Sequence, residues 1–349
     1  DDDKLITAKR HDLVIDDDVG FDDTGRILGI DFAGASRCGM SADRSGPVND
    51  RTLFHCDNAY VLENVHIVSH RCKTNTVSNT AFRGFGGPQG MFAIEYVIDD
   101  IARALGHDPC AVRRRNFYGD GERNVTQYQQ IVDDNILDEL FDRLLASSDY
   151  EQRRAEVREF NATNRLLRKG IAITPVKFGI SFTSTLLNQA GALVHVYRDG
   201  SIQLNHGGTE MGQGLYIKVA QVVADELGVE VDRVRTTAAD TSKVPNASAT
   251  AASSGADMNG KAAQKAAGRI RKRLTAFAAA KHAVSEAEVD FRDGKVYIAE
   301  RIMEFADLVQ EAWAERISLS ATGFYRTPKI NYDRSTFSGR PFFYFAYGA

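Results

Sequence analysis

The clearest pattern along the chain is helical. Between Met91 and Leu105, the apolar residues Ile94, Val97, Ile98, Ile101 and Leu105 recur three or four positions apart, with Pro88 ahead of the run and Gly106 behind it. That spacing predicts a helix with one buried face. A shorter helix is expected from Pro109 to Asn116, with Arg113, Arg114 and Arg115 on a solvated or ion-paired face. Residues 11 to 35 alternate around Asp22-Asp23-Thr24-Gly25 and predict a β-hairpin. Residues 133 to 169 read as helical and highly charged, a connecting surface and not core. After Gly170 the period shortens to two. Strands are expected at 171 to 173, 176 to 182, 192 to 197 and 201 to 204, the last two joined by a tight turn at Asp199-Gly200. A helix from Leu215 to Leu227, a strand near Val229 to Thr236 and an Ala-rich helix from Asn259 to about His282 follow. Hairpins alternating with long helices argue an α+β fold in two parts, 1–165 and 166–349, and no internal repeat is evident.

Composition narrows the function classes. With 43% apolar and 26% charged residues in 349, the chain has ordinary globular usage. A net charge of −4 gives no field that would draw in a nucleic-acid backbone. Cys38, Cys56, Cys72 and Cys110 form no CxxC pair and no zinc or iron–sulfur spacing, so reduced thiols and a cytoplasmic location are expected. No apolar run reaches the ~18 residues of a membrane span, and the start carries no basic-then-apolar leader. The chain opens on Asp1, not Met, and ends without a cap, which reads as a part of something longer.

Three strand-to-helix turns carry the candidate chemistry. Thr80 to Gly90 holds four glycines, Arg83, Phe82 and Phe85. Glycines there let main chain approach a ligand closely, and the following helix start favours an anion. The run superficially matches GxGxxG, but Gln89 stands at the sixth position and no acidic ribose ligand follows a βαβ unit, so a dinucleotide fold is a poor match. His206 to Gly214 is another such turn and lacks the Lys-Ser/Thr of a nucleotide loop. Val244 to Gly255 is a third, with small residues and hydroxyls ahead of a helix. Three main-chain turns without a cluster of metal-ligating side chains suggest a large polar cofactor gripped by backbone. The remaining histidines have no metal or triad spacing, and Glu210 and Asp240 are better explained by cofactor contact or turn formation than as general bases.

Thr80 to Gly90, Lys177 to Thr183, His206 to Gly214, Thr250 to Ser253 and Ser320 to Arg326 together resemble the molybdenum-cofactor region of the molybdenum hydroxylase family, in the family's order over nearly the whole chain. The resemblance implies two mixed α/β subdomains with the cofactor at their interface, and a molybdenum held by a pterin dithiolene. It places Arg83 beside the metal and packs Ala252 against it, both near the molybdenum by main chain. Gln213 and Ser253 would bind the pterin, with Gln89, Gly212 and Ala251 as further cofactor contacts. Phe85 and Phe182 would clamp a planar heterocycle, and Thr183 would touch a substrate oxygen. Aromatic walls carry no hydrogen-bond direction, so polar groups must set orientation.

Arg51 separates branches of the family. By the resemblance, purine-hydroxylating members carry an arginine at this place, where it stabilises negative charge building on the ring, and aldehyde-oxidising members usually lack it; a guanidinium suits that task. Hydroxylation of hypoxanthine and xanthine to urate is therefore expected, with an aldehyde or N-heterocycle hydroxylase, or a non-catalytic cofactor-binding module, as alternatives. The resemblance further implies 2Fe-2S clusters, FAD and NAD on partner domains or subunits, and an oligomer. The family's base glutamate would lie downstream of Ala349 and another glutamate upstream of Asp1, so no catalytic base is expected in this chain.

Overall fold

The computed structural model describes residues 6–349. Contacts divide the described residues into two compact units, one of residues 6–180 with 331–349 and one of residues 181–330.

In the first unit, the alternating sequence around Asp22 to Gly25 forms the expected hairpin: β1 (Leu13–Phe21) pairs antiparallel with β2 (Ile27–Gly39). Helix α1 (Ser45–His55) then crosses over, and β3 (Val65–Lys73) pairs parallel with β2. The periodic run is helix α2 (Gly87–Leu105), which buries Ile94, Val97, Ile98 and Ile101 against Ile27, Ile30 and Phe32 of the hairpin. Its end is set by Gly106, left-handed at φ 65°, whose N–H returns to Ala102 and Arg103. Helix α3 (Pro109–Asn116) is capped by the Asp108 carboxylate, and Arg113 is buried and paired with Glu95 and Asp99. The charged stretch after residue 133 resolves into two helices, α4 (Leu137–Ser147) and α5 (Tyr150–Thr163). It is not all surface: Leu137, Phe141 and Tyr150 lie in the core, because each helix keeps a few large apolar side chains among its charges.

Residues 171 to 173 are not a strand; they run without a ladder partner into β4 (Val176–Ile180). Near the far end of the sequence come a small hairpin, β12 (Asn331–Asp333) with β13 (Ser338–Arg340), and β14 (Tyr344–Gly348), which pairs antiparallel with β4. That pairing is why the contacts assign β4 to the first unit, whereas a cut near residue 165 would separate it. Phe54, Tyr118, Tyr128 and Phe342 form a further aromatic cluster beneath it.

The second unit is built on a four-stranded sheet in the order β11–β5–β6–β7: β5 (Gln189–Val196), β6 (Ile202–His206), β7 (Val234–Thr236) and β11 (Ser320–Arg326). The strand expected from Val229 begins late, since residues 231 to 233 form a 3-10 turn. Helix α6 (Leu215–Leu227) has the expected bounds, and α7 (Gly255–His282) starts one turn earlier than its Ala-rich pattern suggests. Small residues let α7 press onto the sheet: Ala262, Ala263, Ala266 and Ala267 are fully buried, and a Cβ on Gly323 would lie 2.0 Å from the Ala262 carbonyl oxygen. A meander of β8 (Val289–Arg292), β9 (Lys295–Ile298) and β10 (Arg301–Glu304), then helix α8 (Phe305–Ala314), complete the unit. Among the described residues, all four cysteines are free, and no helix is long and apolar enough to cross a membrane.

Candidate functional site

Helix α1 presents a polar buried face, with Asn49, Arg51, Thr52 and His55 all sequestered. Arg51 donates through Nη2 to the Gly179 carbonyl, and its guanidinium lies over the rings of Phe178 (4.8 Å) and Phe342 (5.0 Å). Both aromatic rings present π clouds that favour positive charge. Burial lowers its pKa to about 10, which leaves it cationic at neutral pH. One turn on, His55 donates from Nδ1 to the Arg51 carbonyl (3.1 Å) and accepts the Gly179 N–H at Nε2 (3.1 Å). A carbonyl can only accept and an amide can only donate, so these two bonds fix one neutral tautomer. Burial, with the nearby charges of Arg51 and Lys177, holds its pKa well below the ordinary value. Beyond the helix, Asn58 accepts the Lys177 N–H, and the Lys177 ammonium meets Asp57 at 3.0 Å with both side chains buried. Tyr118 donates its hydroxyl to the same carboxylate (2.7 Å).

The Gly-rich turn sits against this helix. Gly84, Phe85 and Gly86 all have positive φ (91°, 53° and 101°). Gly86 is required by contact as well as by φ: a Cβ there would lie 2.0 Å from the Val48 carbonyl oxygen. Thr52 donates to the Gly86 carbonyl (3.0 Å), tying the turn to α1. The Arg83 side chain is exposed and Phe85 is half-buried. Gln89 donates from Nε2 to the His11 carbonyl, and its buried Oε1 has no hydrogen-bond partner. Arg51, Arg83, Phe85 and Gln89 are therefore carried by two elements of the first unit that are packed together.

In the second unit, Phe182 and Thr183 follow Ser181, whose φ is 142°. The Asn188 carboxamide pins this loop, accepting the Phe182 N–H (2.8 Å) and donating to the Phe182 carbonyl (2.9 Å). The two small-residue turns meet where the Thr209 N–H donates to Thr250 Oγ1 (2.8 Å). The Glu210 carboxylate accepts the N–H groups of Gly212 (2.9 Å), Gly214 (3.0 Å) and Tyr216 (3.0 Å), and these bonds, the one from Tyr216 foremost, hold it below the usual carboxylate range. Gln213 is exposed and folds back on its own turn, bonding the Met211 N–H and the Thr209 carbonyl. Ala252 and Ser253 are consecutive left-handed residues (φ 56° and 57°) on the neighbouring turn, after Ala251, whose carbonyl accepts from Ser254. His206 is fully buried, its Nδ1 accepts the Gly208 N–H (3.1 Å), and its Nε2 has no partner. Asp240 accepts from Ser242 within a turn of its own.

Several residues that shape these surfaces carry little sequence signal. His55 could have been found from its i+4 spacing to Arg51, which puts both on one helix face. Asp57 and Lys177, 120 positions apart, could not.

Family models for the molybdopterin cofactor-binding domain match residues 1–117 and 143–349. The chain belongs to this family. It is 43% identical over 348 residues to the xanthine dehydrogenase/oxidase of Mus musculus and 44% identical over 348 residues to that of Gallus gallus, in each case covering 100% of this chain and 24% of the relative. The chain thus spans about a quarter of the length of the curated relatives it matches. Among solved structures, quinoline 2-oxidoreductase from Pseudomonas putida 86 superposes with a TM-score of 0.78 at 23% identity, covering 91% of this chain and 43% of that one. Aldehyde oxidoreductase from Desulfovibrio gigas does so with a TM-score of 0.79 at 22% identity, covering 98% and 35%. At that identity the two structures establish a shared molybdopterin-domain fold. The mixed α/β architecture and the cofactor class agree with the resemblance read from the motifs.

Proposed function

We propose that this chain is the molybdenum–pterin-binding part of a purine hydroxylase acting on hypoxanthine and xanthine. Similarity to xanthine dehydrogenases along the whole of this chain, about a quarter of their length, carries this reading. The residues present fit a pterin-held metal. Gln89 offers an unpartnered buried oxygen, Ala252 and Ser253 hold left-handed backbone behind side chains too small to cover it, and His206 Nε2 is unpartnered beneath the adjoining turn. Gln89, Gly212, Gln213, Ala251, Ala252 and Ser253 would hold the cofactor, with Arg83 and Ala252 near the metal. When bound, that group supplies the two-electron oxidation that lets water oxygen enter the ring.

The chain's own residues bind and orient. Phe85 and Phe182 offer flat apolar walls, and Thr183 offers a hydroxyl to an exocyclic substrate oxygen. Arg51 stays charged and held by its carbonyl and aromatic contacts, so it can stabilise negative charge developing on the heterocycle at little reorganisation cost. The general base, the iron–sulfur clusters, FAD and the NAD site belong to the rest of the enzyme. Residues 1–165 and 166–349 are proposed as its two cofactor-binding subdomains, acting in an oligomeric, cytoplasmic protein.

Steady-state kinetics of the full-length holoenzyme test this. Xanthine is expected to turn over far faster than benzaldehyde, and the opposite order overturns the purine reading. Arg51→Gln should lower kcat/KM for xanthine by roughly two to three orders of magnitude with molybdenum content retained. An equal loss toward benzaldehyde would assign Arg51 to the scaffold alone.

A further inference from the structure

Lys9, Arg10 and His11 lie some 70 positions upstream of the Gly-rich turn and form the approach to β1, yet all three reach it. The Lys9 carbonyl accepts the Thr80 N–H (2.9 Å), Arg10 Nη2 donates to the Arg83 carbonyl (2.7 Å), and the His11 carbonyl accepts from Gln89 Nε2 (3.0 Å). The Arg10 guanidinium also covers the exposed Phe82 ring at 4.5 Å. His11 is itself anchored, its buried ring bonded at Nε2 to Ser45 Oγ (2.7 Å) at the start of α1.

These contacts bracket the three consecutive positive-φ residues, 84 to 86. The middle one is Phe85, and a bulky side chain in the left-handed region is disfavoured and persists only where its surroundings over-determine it. Glycine on either side gives the turn freedom to relax away from that state. Two features oppose relaxation: the seating of Gly86 on α1, and the Arg10 clamp on the Arg83 carbonyl immediately before Gly84.

We propose that Arg10 is a positioning residue for the Gly-rich turn: by gripping the Arg83 carbonyl and roofing Phe82, it holds Phe85 in the left-handed conformation from which its ring meets a planar substrate. The substrate half of this statement rests on the function proposed above, and the backbone half does not. Arg10 is only half-buried, so its truncation is expected to leave the fold in place.

The test compares full-length holoenzyme with Arg10→Ala and Arg10→Lys variants by hydrogen exchange, molybdenum content and steady-state kinetics. The amides of Phe85 and Gly87, which donate to the Phe82 and Gly84 carbonyls, report the turn directly. Arg10→Ala is expected to speed their exchange by roughly tenfold or more, with exchange elsewhere and Tm unchanged, and to raise KM for xanthine more than it lowers kcat. Arg10→Lys keeps a donor but loses the planar face, and should fall between the two. Unchanged exchange at Phe85 and Gly87, or acceleration spread over the whole unit, overturns the proposal. If Arg10→Ala does not fold, Arg10→Lys decides by the same criterion. Wild-type enzyme that lacks molybdenum or ignores xanthine would sink the functional reading, while the exchange result would still judge the clamp.

Discussion

The Gly-rich turn in the first unit and the paired turns in the other unit share a composition of small residues, yet they are held by opposite means. Thr80 to Gly90 is fixed from outside: α1 lies within 2.0 Å of where a Gly86 side chain would begin, and the Lys9 to His11 segment grips the turn at both ends. His206 to Gly214 is fixed mostly from within, by one carboxylate gathering three nearby amides, and a Cβ on Gly212 would meet nothing within 4 Å. At Gly86 glycine answers a demand for space as well as for backbone conformation, whereas at Gly212 backbone conformation alone requires it. Substitutions should separate the two.

Gly86→Ala is expected to have the largest effect. It forces a methyl against the Val48 carbonyl at φ 101°, and a loss upwards of roughly 4 kcal/mol is expected. The variant should be recovered insoluble or with a collapsed denaturation midpoint, and a near-native midpoint would show that the turn moves freely off α1. Acid should rank next. Burial holds the His206 imidazole at about 4 against an ordinary 6.5, so the unfolded chain takes up that proton first. Stability of the second unit is then lost as pH falls from about 6.5 toward about 4, and His206→Gln should flatten that slope in urea titrations across the window. Gly212→Ala meets open space and only the cost of φ 92°, about 1 to 2 kcal/mol. A loss as large as that of Gly86→Ala would erase the distinction between the turns. The smallest effect belongs to Glu210→Gln: faster exchange of the Gly212, Gly214 and Tyr216 amides with Tm nearly unmoved. In the wild type the same loosening should appear only at acid pH, because the carboxylate's folded pKa is depressed and its contribution is lost as pH falls through that value.

What could be read from the sequence was whatever repeats locally. Helices α2 and α6 were legible because apolar residues recur on one face, and the hairpins because turn residues sit between alternating strands. Helix α1 was not, since beside Val48 and Phe54 it buries the polar Asn49, Arg51, Thr52 and His55, which a hydrophobic period cannot register. The pairing of β4 with β14 joins residues more than 160 positions apart and leaves no local trace. The motifs pointed to Arg51, Phe85 and Gln213, but the groups that hold their surroundings in place, His55, Arg10 and Glu210, make their case only through distances.

One edge of β4 is closed by β14. Along the other, the peptide groups of Lys177 and Gly179 are met by Asn58, His55 and Arg51 in place of a neighbouring strand. Such a border is keyed. An oxygen faces one amide, an imidazole nitrogen the next, and a cation the carbonyl, so sliding the strand by a single position would set mismatched groups against each other. It also offers nothing for an invading extended segment to zip onto, which shields this stretch from the edge-to-edge association that exposed strands invite.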